Sequence, residues 1–189
     1  MKKTLLIGSL VFLLVALLIV GGTMAWFTSE KSVANTFTAG TVKIEVNEHG
    51  FEDITNWNPG DTTNKDVSVI SEGSKATYVR VSLTPEWLDA NGSPTNLSVD
   101  NVNLILANND DWVYSNGWYY YKHILNQNDE TSLLLDAVEL IGAQTGNDYQ
   151  GKTLRINVKA EGVQASHEAY KDAWGISSLP AGVKEFTGE

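Results

Sequence analysis

WVYSNGWYYYKHIL, residues 112–125, reads as a β-hairpin. Asn116-Gly117 supplies the two residues tolerant of positive φ that a type I′ turn requires, and aromatic and β-branched residues flank it on both sides. Outward from the hairpin the same period of two recurs. Leu154, Ile156, Val158 and Ala160 alternate with Arg155, Asn157 and Lys159 across Thr153–Ala160, and Val79, Val81 and Leu83 oppose Tyr78, Arg80 and Ser82 across Thr77–Leu83. Shorter versions stand at Val42–Val46 and Asp66–Ile70, with the turn signal Asn58-Pro59-Gly60-Asp61 between them. Leu133–Ile141 fits a strand or a short helix, and Gly142, which closes it early, favours a strand. Only Ser166–Trp174 reads as helix, with Ser166 as N-cap, Glu168 in the first turn and Gly175 as the stop. Strands about ten residues apart, joined by Asn, Gly and Pro turns, predict an all-β, antiparallel sandwich with one short helix towards the C-terminus. No internal repeat or low-complexity linker divides it.

The N-terminus is of another kind. Lys2 and Lys3 precede Leu5–Val20, an apolar run interrupted only by Gly8 and Ser9, and Gly21-Gly22 then breaks the hydrophobic signal helix. Thr23 and Ala25 are small residues three and one positions before a cut between Ala25 and Trp26, as a signal peptidase requires. The uncharged run continues to Ser29, so an uncut membrane anchor is the competing reading. In either case the positive-inside rule places everything beyond residue 26 outside the cytoplasm. Removing residues 1–25 from the 189 leaves 164, the size of one domain, and the loss of two lysines takes the net charge from −10 to −12. So acidic a chain disfavours nucleic acid and anionic membranes as partners. It has no cysteine, hence no disulfide, thiolate metal site or cysteine nucleophile.

Catalytic motifs are missing. A zinc protease of the H-E-x-x-H type needs two histidines one helical turn apart, but His167-Glu168-Ala169-Tyr170-Lys171 puts a cation at the second ligand position. His49 and His123 are scattered elsewhere. There is neither a G-x-S-x-G elbow nor a phosphate-binding G-x-x-x-x-G-K-[ST] loop. The sequence thus predicts no enzyme, no cofactor and no metal. Asn108-Asn109-Asp110-Asp111 and Asn126–Glu130 offer oxygen ligands without the spacing of a calcium loop, and read as ordinary turns. Trp112, Tyr114, Trp118, Tyr119, Tyr120 and Tyr121 are more suggestive, since rings along a strand can form a platform for sugars. The candidate ligand-binding aromatics are Trp112, Trp118, Tyr119, Tyr120 and Tyr121. Cross-strand packing is the competing use, and Tyr119 and Tyr121 face opposite to Trp118 and Tyr120. Leu179-Pro180-Ala181-Gly182 is like the start of a sortase signal but lacks its threonine and any apolar tail, so wall anchoring by that route is not expected.

The basic start, apolar core, G-G-T-x-A, aromatic pair and FTAGTVKIEV at residues 37–46 resemble the TasA/camelysin family of exported bacterial proteins. NPGDTTNKDVSV at 58–69, ATYVRVSL at 76–83, the hairpin, and LRINVKAEGVQA with Ala173-Trp174 look like its clostridial biofilm-matrix branch. The resemblance implies processing by a signal peptidase of the SipW type and a jelly-roll-like sandwich. It also implies assembly into matrix fibres by donor-strand exchange, with each mature N-terminus pairing into the next subunit. Camelysin carries a protease label within the family, which the missing H-E-x-x-H puts in doubt here.

The local pattern gives donor-strand exchange a physical basis. Phe27, Val33, Phe37 and Ala39 fall on odd positions, whereas Val42, Ile44 and Val46 fall on even ones. A continuous strand would turn one set to the wrong face, so Gly40 marks a hinge or bulge. The expected organisation is a signal peptide at 1–25, a donor segment at 26–40 carrying Trp26, Phe27, Val33 and Phe37, and a sandwich at 41–189. Pairing of that segment within its own domain is the alternative. The expected function is a secreted fibre subunit of the extracellular matrix or cell surface. Its expected partners are itself, the signal peptidase and a fibre-assembly helper. A surface carbohydrate-binding or adhesion module comes second, and a camelysin-like metalloprotease a distant third.

Overall fold

Residues 42–49, 58–107 and 110–188 are described by a computed structural model of the chain, and within them the alternating segments are strands. In chain order these are β1 (Ile44–His49), β2 (Thr62–Ser71), β3 (Thr77–Leu88), β4 (Val102–Leu106), β5 (Trp112–Ser115), β6 (Trp118–Tyr121), β7 (Leu135–Leu140) and β8 (Thr153–Gln164). They form two four-stranded sheets, in the orders β1-β2-β7-β4 and β5-β6-β3-β8. Every pairing is antiparallel. The predicted all-β sandwich is the fold found, and Leu133–Ile141 resolves as the strand β7.

One alternating set from each strand fills the space between the sheets. Val67 and Val69 of β2, Leu135, Val138 and Leu140 of β7, Val79 and Val81 of β3, and Leu154, Ile156, Val158 and Ala160 of β8 are buried together. Burying each of these Val, Leu and Ile side chains contributes about 1.5–3 kcal/mol. The longest ladder joins β3 to β8 over twelve residue pairs, from Thr77 opposite Gln164 to Leu88 opposite Thr153. Pro85 sits inside β3 opposite Ile156, although proline has no N–H to give a ladder. It is accommodated because β6 pairs with β3 only at Arg80 and Val81, so among the described residues the other side of β3 at Pro85 is an edge.

The turns follow the sequence. Asn116 (φ 51°) and Gly117 (φ 85°) both adopt positive φ in the β5–β6 hairpin, and Asp61 N–H closes the Asn58 turn on the Asn58 carbonyl at 3.0 Å. The helix corrects it. Residues 166–174 break into a 3-10 turn (Ser166–Glu168) and a five-residue helix α1 (Tyr170–Trp174), because His167 and Glu168 both take positive φ. Ser166 is not an N-cap, since Ala165 holds that position with no side-chain cap bond. Gly175 does end α1, at φ 67°, with its N–H on the Lys171 carbonyl.

At one margin the two sheets approach so closely that only glycine fits. A Cβ on Gly162 of β8 would lie 2.8 Å from Cγ2 of Ile44 in β1 and 3.3 Å from Cγ2 of Thr77. Both neighbours are β-branched and held by their strands, so they yield little. G162V is therefore expected to lower stability by about 2 kcal/mol through overpacking. G117A, which meets no atom within 4 Å, is expected to cost about 1 kcal/mol from backbone strain alone. Thermal melts of the two variants check that order.

Candidate functional site

The hairpin aromatics divide between two faces. Across β5 and β6, Trp112 stands opposite Tyr121 and Tyr114 opposite Tyr119. Trp112 and Tyr121 are buried in the inter-sheet core with ring centroids 5.0 Å apart. The Trp112 indole N–H donates to the Ser132 carbonyl, and Ser132 N–H donates to the Tyr121 hydroxyl. Tyr119 is half-buried at the core's margin, where burial raises its pKa. Its ring meets Tyr114 at 4.9 Å, and Tyr114 is 61% exposed. Trp118 and Tyr120 point to the other face. The five candidate residues thus make no single platform, and Trp112, Tyr120 and Tyr121 are closed to solvent.

That outer face is organised around Arg80. Its guanidinium carbon lies 4.2 Å from the Trp118 ring centroid and 4.7 Å from that of Trp174, held between two indoles. Nη1 donates to the Tyr120 hydroxyl at 3.3 Å, while Nε and Nη2 both donate to Oε2 of Glu161, at 2.9 and 2.6 Å. Lys159 Nζ takes the other Glu161 oxygen at 2.8 Å. Burial on its own would raise the Glu161 carboxyl, but the hydrogen bonds from Lys159 and Arg80 together outweigh it and hold the pKa below the ordinary carboxylate value.

Beside this cluster the C-terminal segment is strapped over the sheet. Tyr78, Val163, Ala165 and Tyr170 form a second buried cluster, covered by Trp174, Ile176, Leu179, Val183 and Phe186. Phe186 N–H donates to the Tyr78 hydroxyl at 2.8 Å, and Lys184 N–H to the Lys122 carbonyl at 2.8 Å. Leu179-Pro180-Ala181-Gly182 is part of that strap, as a turn closed from Val183 N–H to the Pro180 carbonyl. The alternation in β3 and β8 gave Tyr78 and Arg80 no burial of their own. The apolar spacing of Ile176, Leu179, Val183 and Phe186 was the available signal for the strap.

Thr23, Ala25, Trp26, Phe27, Val33, Phe37 and Gly40 lie outside the described residues, as do Asn108 and Asn109. In the Asn126–Glu130 loop, Asp129 accepts from the backbone N–H and the side-chain amide of Asn126, which is a turn-capping role. His123 Nε2 lies 3.1 Å from Asp111 Oδ1, whose carboxyl is held low by Ser132 and then by His123. His167 contacts its neighbour Ser166, and Glu168 pairs with Lys171 at 2.8 Å.

A family model described as camelysin metallo-endopeptidase matches residues 1–96, just over half of the 189. The chain belongs to the camelysin family. No curated protein matches it. Among solved structures it is similar to the ASH/PapD-like domain of human CEP192 (PapD-like domain 7), at 9% identity, with 74% of this chain and 94% of that one covered and a TM-score of 0.31. The camelysin name implies a metal, and the described donors do not fit one. Among the described residues no three His, Asp or Glu side chains gather to hold an ion. At His167-Glu168 the backbone leaves helical geometry, and Lys171 occupies the carboxylate that would have to activate water.

The Arg80 cluster generates a pair of predictions. R80A, which takes both Arg80 hydrogen bonds from Glu161, leaving it to Lys159 alone, and empties the space between two indoles, is expected to cost about 3 kcal/mol, with part recovered in R80A/E161A. A lowered folded-state pKa stabilises above the unfolded-state value, about 4.3 for glutamate, and that stabilisation is lost as pH falls through the folded value. Wild type should therefore exceed E161Q in stability at neutral pH, with the gap closing below about pH 4.3. Urea unfolding of both proteins across pH measures it.

Proposed function

We propose that this camelysin-family chain is an exported structural subunit of extracellular matrix fibres, assembled by donor-strand exchange of its mature N-terminal segment. The observation that carries the reading is a pair of sheets left open among the described residues, in a chain whose residues 26–40 alternate out of step with the domain that follows them in sequence. Among the described residues neither sheet closes on itself, so β1, β4, β5 and β8 are edge strands there, and edge strands are ready templates for a further strand. The period of two in the sequence of residues 26–40 would put Phe27, Val33 and Phe37 on one face if the segment were a strand, and the alternation changes step at Gly40. Such a segment added to an edge pairs its backbone and buries its rings, the physics of β-augmentation. Without disulfides the subunit gains stability from its neighbours instead.

Export precedes assembly in this account. Cleavage between Ala25 and Trp26 by a signal peptidase of the SipW type frees an apolar N-terminus that was held at the membrane. The partners are then further copies of the chain, together with a fibre-assembly helper. Localisation is the extracellular matrix or cell surface.

The test compares protein 26–189 with protein 41–189 by electron microscopy and sedimentation. The longer form is expected to form fibres and the shorter to stay monomeric with its sandwich intact. Fibres from the shorter form would contradict the proposal. The family name supports metalloprotease activity as the second reading. The expected result is no casein cleavage by 26–189, with or without added zinc, whereas zinc-dependent cleavage that a chelator abolishes would favour the protease.

A further inference from the structure

At one end of the sandwich the Asn58 turn and the 142–152 loop enclose a cleft of about 330 Å3. Its lower wall is apolar, made by Trp87 at the end of β3 and Leu140 at the end of β7. The Tyr149 ring, 5.1 Å from that of Trp87, forms one side, and the side chains of Asn58, Asn147 and Gln150 stand exposed at the rim. None of these residues belongs to the hairpin or to the Arg80 cluster.

The cleft is built rather than incidental. A fully buried side chain, Asn101, organises it. Its Oδ1 accepts from the Trp87 indole N–H at 3.3 Å, and its Nδ2 donates to Thr145 Oγ1 at 3.2 Å. Thr145 in turn donates to the Ile141 carbonyl, and Ile141 N–H returns to the Asn101 carbonyl. One asparagine therefore fixes both the ring in the wall and the loop above it. The opposite side is pinned by Gly60 N–H on the Leu140 carbonyl at 2.7 Å, with Gly142 packed against Pro59. Tyr149 is held by its hydroxyl on the Ser98 carbonyl at 3.1 Å. Walls fixed before a ligand arrives reduce the ordering cost of binding it.

We infer that this cleft binds a neutral carbohydrate, about one or two sugar rings of a larger glycan, through Tyr149 and the side-chain amides of Asn147 and Gln150. The chemistry of the lining selects that class. A pyranose has an apolar C–H face that packs on an aromatic ring and hydroxyls that each donate and accept at once. A carboxamide offers a donor and an acceptor in one plane, matching adjacent hydroxyls. The Asn147 and Gln150 amides make no hydrogen bond among the described residues, so both remain available to a ligand. Among the described residues Lys152 is the sole charged one lining the cleft, and it already lowers the carboxyl of Asp89, after that group's bonds to Ser93 and Asn91. An anionic ligand would find little to pair with. The volume falls at the lower end of the range for small-molecule sites, which suits a glycan terminus or a short internal stretch.

Binding here is independent of assembly, since every group belongs to one subunit. The test titrates the full-length chain, in a detergent without a sugar head group, with cello-, malto- and N-acetylglucosamine oligosaccharides, read by calorimetry and by tryptophan fluorescence. At least one series is expected to bind saturably. N147A/Q150A is expected to weaken it at least about tenfold, or about 1.4 kcal/mol, and Y149A to do likewise, while W118A on the hairpin leaves it unchanged. Circular dichroism establishes that each variant keeps its sheet content. Both amide side chains are solvent-exposed, so N147A/Q150A reports on the cleft even if Y149A unfolds. Failure of all three series to bind, equal affinity in N147A/Q150A, or loss of binding in W118A alone would each overturn the inference.

Discussion

The pairing of β3 with β8 is the interaction on which the rest of the structure depends. Twelve consecutive residue pairs make these two strands a plank with two working faces. Its inner face, Val79 and Val81 against Val158 and Ala160, supplies one side of the inter-sheet core. Its outer face, Tyr78 and Arg80 beside Glu161 and Val163, carries the C-terminal strap and the ion pair held between two indoles. Because β-strand side chains alternate, both layers rest on one register, and a slip of one residue would exchange apolar and charged groups along the whole plank. The same strand runs on to Trp87, where the end cleft begins.

Much of this was legible in the sequence, and the reasons are local. Asn116-Gly117 demands one turn type and aromatic residues surround it, so the hairpin was specified within fourteen residues. Val79–Val81 and Leu154–Ala160 alternate cleanly because one of their faces meets an apolar sheet and the other charge. What escaped was decided by partners distant in the chain. Arg80 looked like a solvent-facing residue until Trp118, Trp174 and Glu161, up to 94 positions away, closed around it. Asn101 gave no signal at all, since its role comes from a ring fourteen residues before it and a hydroxyl 44 residues after. The short helix and its Gly175 stop were legible, but its start was not, because Ser166 and Glu168 imitate N-terminal signals whereas His167 and Glu168 adopt positive φ and split the segment.

The camelysin family name and the chemistry of the described residues pull in different directions. A metalloprotease needs a ligand cluster and an uncommitted carboxylate, while here the nearest motif has lysine bound to its glutamate. A fibre subunit needs different properties: an acidic, soluble sandwich, edges able to accept a strand, and a segment able to leave its own domain. In the proposed account the charge of −12 left after residues 1–25 are removed would keep free subunits apart. Strand addition as proposed would overcome that repulsion through backbone pairing and buried rings, which charge on the sheet faces does not block.

The central claim is that residues 26–40 pair between subunits, and the absence of any cysteine in the chain makes it directly measurable. One preparation of the mature chain would carry V33C, and a set of others a single cysteine in β1, β4, β5 or β8. The account predicts that V33C forms a disulfide with one of these edges when the two preparations are mixed during assembly, giving a covalent dimer on a denaturing gel. Cross-linking that occurs only when both cysteines are in the same chain, and never in the mixture, would show that the segment folds back into its own domain and would contradict the account.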